Sequence, residues 1–420
     1  MNEDLIKTIW KYGYFGGNHL RTTTGDTLVI EYPGQENFDA GPDFFMAKVR
    51  IAGQLWIGNV EIHTRSSDWN KHGHQGDAAY ESIILHVVWN DDQPVHLSGD
   101  QVPTLELKNW VPDAMMAEYH RLMGASKKLG CAEHVSIADA FSVNRWLDRM
   151  FFERFEEKVQ RMRNDLALTQ NNMGEVLWRW TARYLGGPVN GHGFQQVAQT
   201  LSLSLLLKYH NRPHALAALL YGCAGLIDSK RLPDLPELQA QWRFLKVKHQ
   251  LSVAQAPWKY MRMRPSAFPE QRMKLIIQFL LSFLPTLREP EAFFDHIKRH
   301  QYPSDFLNGF GDLIPSNPLL LSKHLNHHYL VNVLFPLLFI RGIIPQEEIW
   351  EHVNRIQPED NQCTRFMTNN GFPNKQLIHS QALLHLHRNY CTPKKCTQCA
   401  IGLQMLGKPF AIGHLQRATA

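Results

Sequence analysis

The chain has 420 residues, 44% hydrophobic and 20% charged, which excludes wholesale disorder and, at about 150 residues per domain, leaves room for two or three domains. Six cysteines are too few for a disulfide scaffold, and the longest uncharged apolar run, Tyr329 to Ile340, stops after 12 residues at Arg341, short of the roughly 20 a membrane span needs. The net charge of +5 divides unevenly: residues 1–110 hold 8 Lys+Arg against 15 Asp+Glu and the remainder 36 against 24, so an acidic module precedes a basic one that suits a nucleic-acid partner, with no membrane contact expected.

In chain order, Asp4 to Tyr14 forms a short helix with Leu5, Ile6, Ile9 and Trp10 on one face. Glu3 and Asp4 stand where an export signal carries positive charge, so a cytoplasmic location is expected. Thr27 to Tyr32 is a β-branched strand ended by Pro33-Gly34, and Phe44 to Ile51 with Leu55 to His63 flank Ala52-Gly53-Gln54 as a hairpin. Gly76 to Ser82 is helix-compatible, Ile83 to Trp89 is a buried strand and Thr104 to Leu107 an edge strand. From about Val111 the periodicity becomes helical, over Phe141 to Met162, Met173 to Tyr184, Phe194 to Tyr209, Pro213 to Leu226, Leu235 to Gln250 and Gln376 to Tyr390. Gly186-Gly187-Pro188 and Gly191-His192-Gly193 read as loops, and Arg264-Pro265, Phe268-Pro269, Ile314-Pro315 and Asn317-Pro318 as breaks. The expected architecture is α+β: an α/β module over 1–110, a basic helical region over 111–375, and a C-terminal helix with a cysteine knuckle over 376–420.

The densest chemistry lies between Asp39 and Trp89. Asp43 enters the first hairpin strand, while Glu61 and His63, two apart near the end of the second, point to one face. A hairpin sets the start of its first strand beside the end of its second, so Asp43 and Glu61 meet and are suited to hold Mg²⁺ or Mn²⁺. Such an ion polarises a phosphoryl oxygen and lowers the pKa of an attacking water. His72, His74 and Asp77 follow closely as candidate assistants, and His86 interrupts an apolar strand where an imidazole needs a partner. Two alternatives stand beside this: a plain β module whose Asp43 caps a turn, and a zinc site on His63, His72 and His74.

Gly41-Pro42-Asp43, followed by Glu61-Ile62-His63, resembles the PD-(D/E)XK signature of restriction-endonuclease-like nucleases, and the element order resembles their αβββαβ core. The resemblance implies metal binding by Asp43 and Glu61 and phosphodiester hydrolysis of DNA or RNA. It departs at His63, which stands where those enzymes carry a lysine that orients the water and steadies the phosphate. The GPDF, VEIH, SDW-x-x-HGH and ILHVV runs and the terminal cysteine cluster also resemble an uncharacterised bacterial family defined only as a domain of unknown function. A nuclease-like protein that binds nucleic acid without turnover is the runner-up, favoured by His63.

Cys391-x4-Cys396-x2-Cys399 reads as a metal knuckle for Zn²⁺ or an iron–sulfur cluster, with His387 as local fourth ligand and His385 or Cys363 as alternatives. Its spacing resembles the cluster loop of helical DNA glycosylases without their downstream fourth cysteine, and Cys131 and Cys223 read as small buried residues. Trp258 to Pro265, with Arg262 and Arg264 and then Arg272, interleaves bases and aromatics as a backbone-contacting strip does. The competing reading has those arginines capping nearby carbonyls. His324, His327 and His328 share a helix face, for which a wet surface is the simpler account.

Overall fold

A computed structural model describes residues 1–15, 19–125, 128–232, 236–290 and 327–407. The chain starts with α1 (Glu3–Tyr12), whose ends are set locally: the Asn2 side chain accepts the Leu5 N–H, and Gly13 at φ +65° closes the helix. Leu5, Ile6, Ile9 and Trp10 turn inward as the periodicity requires, and the Trp10 indole donates to the Pro33 carbonyl at 2.9 Å.

The sheet strands are β1 (Leu20–Arg21), β2 (Thr27–Tyr32), β3 (Gln35–Glu36), β4 (Phe44–Ile51), β5 (Gln54–Arg65), β6 (Ile83–Asn90) and, after a small ribbon of β7 (His96–Leu97) and β8 (Asp100–Gln101), β9 (Thr104–Glu106). They run in the order β1-β2-β4-β5-β6-β9, with β3 also on β4. The first four of that order pair antiparallel, while β6 lies parallel to both β5 and β9, so the sheet is mixed. Its parallel centre explains the unbroken burial of Ile83 to Val88, since that strand is covered on both faces. Between Phe44↔Val60 and Ala47↔Gly58 the β4–β5 register slips, so Phe45 and Met46 share Asn59 as partner and Met46 takes φ +55°. A bulge of this kind ends regular pairing and re-aims the chain, here directly after Asp43.

Two compact units account for the chain. The first comprises residues 1–147, 361–373 and the segment from 383 onward; the second comprises 148–360 and 374–382. In the first, α1 and α3 (Asp113–Gly124) cover the sheet, and Met405 and Leu406 of the C-terminal helix enter the same core beside Phe44, Val60, Ile62 and Val87. The second is helical, and two of its buried indoles are matched: Trp178 donates to the Leu201 carbonyl at 2.9 Å and Trp180 to Asp165 at 2.7 Å. No helix among the described residues is long and apolar enough to cross a membrane.

The remaining helices are α2 (Asp68–His72), α4 (Ala132–Ile137), α5 (Ala140–Leu168), α6 (Met173–Leu185), α7 (Gly187–Thr200), α8 (Leu203–Leu207), α9 (Pro213–Cys223), α10 (Pro236–Lys248), α11 (Pro269–Leu287), α12 (327–340, with a π turn at Leu330–Leu334), α13 (Gln346–Arg355), α14 (Gln362–Asn369), α15 (Leu377–Leu386) and α16 (Ala400–Gly407). Three local expectations are corrected. Gly187-Pro188 and Gly191-His192-Gly193 are the first turns of α7, not loops: proline suits the helix start, and a Cβ on Gly191 would stand 2.5 Å from the Arg183 carbonyl of α6. Gly191 thus serves close helix packing. The single helix expected to reach Tyr209 breaks after Thr200, where the Ser202 hydroxyl caps α8 by accepting the Leu205 N–H. Gly76 to Ser82 holds one short 3-10 turn, Ala78–Tyr80, preceded by another at His74–Gly76, with the α-helical turn lying earlier, at α2. Ile314-Pro315, Asn317-Pro318 and His324 lie outside the described residues. His328 opens α12 with its Nδ1 2.8 Å from Glu359 Oε1, a carboxylate the local sequence does not show.

Candidate metal centre

The β4–β5 hairpin brings Asp43 beside Glu61. The Asp43 backbone N–H donates to Glu61 Oε2 at 3.1 Å, and the Ile62 N–H donates to Asp43 Oδ2 at 3.1 Å. Asp43 Oδ1 is held by Lys7 of α1, whose Nζ lies 2.6 Å away. Glu61 Oε1 points the other way, 3.6 Å from His63 Nε2 and 3.4 Å from His74 Nε2. His63 Nε2 is 3.1 Å from His72 Nδ1, and its Nδ1 is 2.8 Å from His86 Nε2.

Three imidazoles therefore converge. One donor nitrogen from each of His63, His72 and His74 lies within 4.8 Å of the others, with His63 and His74 buried and His72 exposed. The support behind them is aromatic. Trp69 of α2 is fully buried with its ring against His63, His74 and His86, and Tyr80 stacks on His74 at 3.9 Å between centroids. The connecting loop is tied by Asp92, which accepts from the Ser66 and Ser67 hydroxyls and the Ser67 N–H. Asp68 takes the Arg65 N–H and the Lys71 ammonium, so it fixes the turn and leaves the site to others.

The electrostatics follow from burial. Desolvation, with the Asp43 charge adding to it, pushes the Glu61 carboxyl up to about 8. Burial also raises Asp43, although Lys7 works against it. Desolvation and the neighbouring rings push His63 down to about 2, and burial pushes His86 down to about 3. Burial lowers Lys7, but Asp43, Glu3 and Glu61 together raise it above its ordinary value, and it stays cationic. The centre thus sets the neutral imidazoles of His63 and His86 beside a carboxyl that ionises late, flanked by one fixed ammonium. The buried His74 Nε2 and His86 Nδ1 make no hydrogen bond. Neutral imidazole nitrogens and one carboxylate are a donor set for a divalent transition ion, and Glu61 supplies the hard oxygen that Mg²⁺ or Mn²⁺ also accepts.

A family model described as a protein of unknown function, DUF2851, matches residues 3–362. The chain belongs to the DUF2851 family. No curated protein and no solved structure matches it. The span matched takes in the whole histidine–carboxylate centre of this DUF2851 chain and ends before Cys391.

Other residues singled out by sequence fall elsewhere. Asp77 is exposed and its carboxylate accepts the Ala79 N–H, closing a 3-10 turn. In the second unit Arg262 and Arg264 are exposed, whereas Arg272 is half-buried with Nη1 3.5 Å from the Leu185 carbonyl. The aromatics between them are committed internally: the Trp258 indole donates to the Ala224 carbonyl at 2.8 Å and the Tyr260 hydroxyl to Glu270 at 3.0 Å. Cys391, Cys396 and Cys399 converge on one cavity in the first unit, which Cys131 also lines and His387 does not. His387 instead packs edge-on against Phe366. Sequence reasoning missed two residues at the metal centre, Lys7 and Glu3. Glu3 is raised by burial and feels the charges of Lys7, Asp43 and His72. The available signal was their i, i+4 spacing at the border of the apolar face of α1.

Proposed function

We propose that this protein is a divalent-metal-dependent hydrolase of phosphodiester bonds in nucleic acid. Glu61, His63, His72 and His74 would hold the ion, with Asp43 and Lys7 alongside. The observation that carries the reading is the double use of Glu61: Oε2 is tied to Asp43 while Oε1 faces His63 and His74 at 3.6 and 3.4 Å. A bound ion would polarise a phosphoryl oxygen and lower the pKa of a water. His63 is neutral, so it serves as a ligand and not as the cation expected at its position. That cation is Lys7, which Asp43 orients and which can meet a phosphate oxygen. The helix-first order and the mixed sheet, antiparallel through β5 and parallel at β6, agree with the restriction-endonuclease-like αβββαβ reading. The basic balance of residues 111–420 agrees with a polyanionic substrate.

A second reading is a zinc hydrolase acting on another substrate, favoured by the closeness of the three imidazoles. The test is a panel of DNA and RNA incubated with Mg²⁺, Mn²⁺ or Zn²⁺, comparing the full-length chain with Glu61→Gln. Metal-dependent cleavage lost in the variant is the expected result. Binding without cleavage by either protein would replace turnover with a nucleic-acid-binding role. Stoichiometric zinc with neither binding nor cleavage would favour the second reading.

A further inference from the structure

Four cysteines from two distant parts of the sequence converge within the first unit. Cys131 immediately precedes α4, Cys391 ends a π turn after α15, Cys396 opens a 3-10 turn and Cys399 immediately precedes α16. All four are free thiols and all four line one cavity of about 60 Å³. Leu122, Leu129 and Leu386 supply apolar wall, and Lys128 and Lys394 complete it with positive charge. Lys394 is held by the Met123 carbonyl.

The backbone is fitted around these sulfurs. A Cβ on Gly402 would stand 2.1 Å from the Cys396 carbonyl, and one on Gly130 2.6 Å from the backbone of Leu122, so both approaches require glycine. The Ile401 and Gly402 N–H groups are directed at the Cys399 sulfur. Coordination to a metal would deprotonate the four thiols outright.

Spacing selects the kind of metal. A closed zinc site with Zn–S of 2.3 Å needs sulfurs about 3.8 Å apart, with nothing between them but the ion. Among the described residues the three-donor group that closes to within 4.8 Å is the histidine trio, so no three of these sulfurs all come that close to one another, and a cavity lies among them. Thiolates that bind separate corners of a polynuclear cluster stand that way. We infer that Cys131, Cys391, Cys396 and Cys399 hold an iron–sulfur cluster of the four-iron type, independent of the hydrolytic centre. Its negative charge is offset by Lys128, Lys394 and the N–H groups directed at sulfur.

The test is the metal content of the full-length chain, purified without oxygen and reconstituted with equal ferrous and ferric iron and sulfide. The expected result is a brown protein with roughly four iron and four acid-labile sulfide per chain. Cys131→Ala should lose most of both with an unchanged far-ultraviolet circular dichroism spectrum, while His387→Ala and Cys223→Ser keep them. Stoichiometric zinc without labile sulfide, or a full cluster retained in Cys131→Ala, would overturn the inference. Should Cys131→Ala not fold, alkylation mapped by mass spectrometry decides on the wild type. The four named thiols should be protected when loaded and react after iron chelation; protection of any other set, or of none, counts against it.

Discussion

Asp43 and Glu61, 18 positions apart, are joined by a hydrogen bond from the Asp43 backbone N–H to Glu61 Oε2 at 3.1 Å. That bond leaves Glu61 Oε1 turned to the histidines and makes one carboxyl the hinge between the hairpin mouth and the imidazole cluster. Most of what the centre should do in solution follows from this carboxyl being buried.

Glu61 titrates near 8 when folded against 4.5 when unfolded, so the metal-free native state holds a proton that the unfolded chain releases. Its contribution to stability is therefore present below about pH 4.5 and declines as pH rises toward 8. A cation must displace that proton, so apparent affinity should rise up to about tenfold per pH unit below 8, whereas His63 is neutral throughout and adds no slope. We expect Mn²⁺ or Zn²⁺ to raise the Tm more at pH 8 than at pH 6. Glu61→Gln, an uncharged mimic of the protonated acid, should keep its metal-free Tm at pH 7 and lose the metal-induced rise. An equal metal response at both pH values would contradict the assignment of Glu61.

Lys7 and Asp43 should behave as a pair. Lys7→Met leaves a largely buried carboxylate without its ammonium and should cost about 1–2 kcal/mol. Adding Asp43→Asn should restore much of that, because the amide oxygen still accepts the Ile62 N–H. Hydrolysis should not return with it, since the double variant has no cation to offer a phosphate, and the loss should be on the order of 100-fold. Urea unfolding of the four proteins of the cycle, with turnover measured on each, separates the two effects. Additive stability changes would show that the ion pair contributes nothing.

Part of this was legible beforehand, and the reason is locality. The meeting of Asp43 with Glu61 follows from strand alternation and the Ala52-Gly53 turn, which set the register of the hairpin. The alternation also placed His63 beside Glu61. Lys7 was not legible, because which turn of α1 faces the mouth of β4 is decided by how Leu5, Ile6, Ile9 and Trp10 seat in the core. Cys131 was missed for the same reason: nearness in sequence favoured His387, whereas α4 and the C-terminal segment meet only in the folded unit.

Glycine offers a check where propensity and packing disagree. In an exposed helix interior, Gly→Ala stabilises by about 1 kcal/mol. Gly191 sits in the first turns of α7 with the Arg183 carbonyl 2.5 Å from where a Cβ would lie, so Gly191→Ala should destabilise by about 1–3 kcal/mol. A higher unfolding midpoint in that variant would mean that α6 and α7 are not packed this closely.

His86 touches none of the proposed ligand atoms except through His63, which makes it a positioning residue. Its Nε2 and His63 Nδ1 share one proton across 2.8 Å. For His63 Nε2 to offer a lone pair to a metal, that proton must sit on His63 Nδ1 with His86 accepting it. His86→Leu removes the acceptor, and affinity for Mn²⁺ or Zn²⁺ should fall about 10–100-fold. Folding should change by less than about 1 kcal/mol, since the variant deletes the unpartnered His86 Nδ1 while orphaning His63 Nδ1, one buried polar atom for another. His86→Gln, whose side-chain carbonyl can accept the same bond, should recover part of the affinity. Calorimetric metal titration of the three proteins, with their Tm values, tests this: unchanged affinity in a folded His86→Leu would remove His86 from the centre and leave His63 held by Trp69 and the sheet alone.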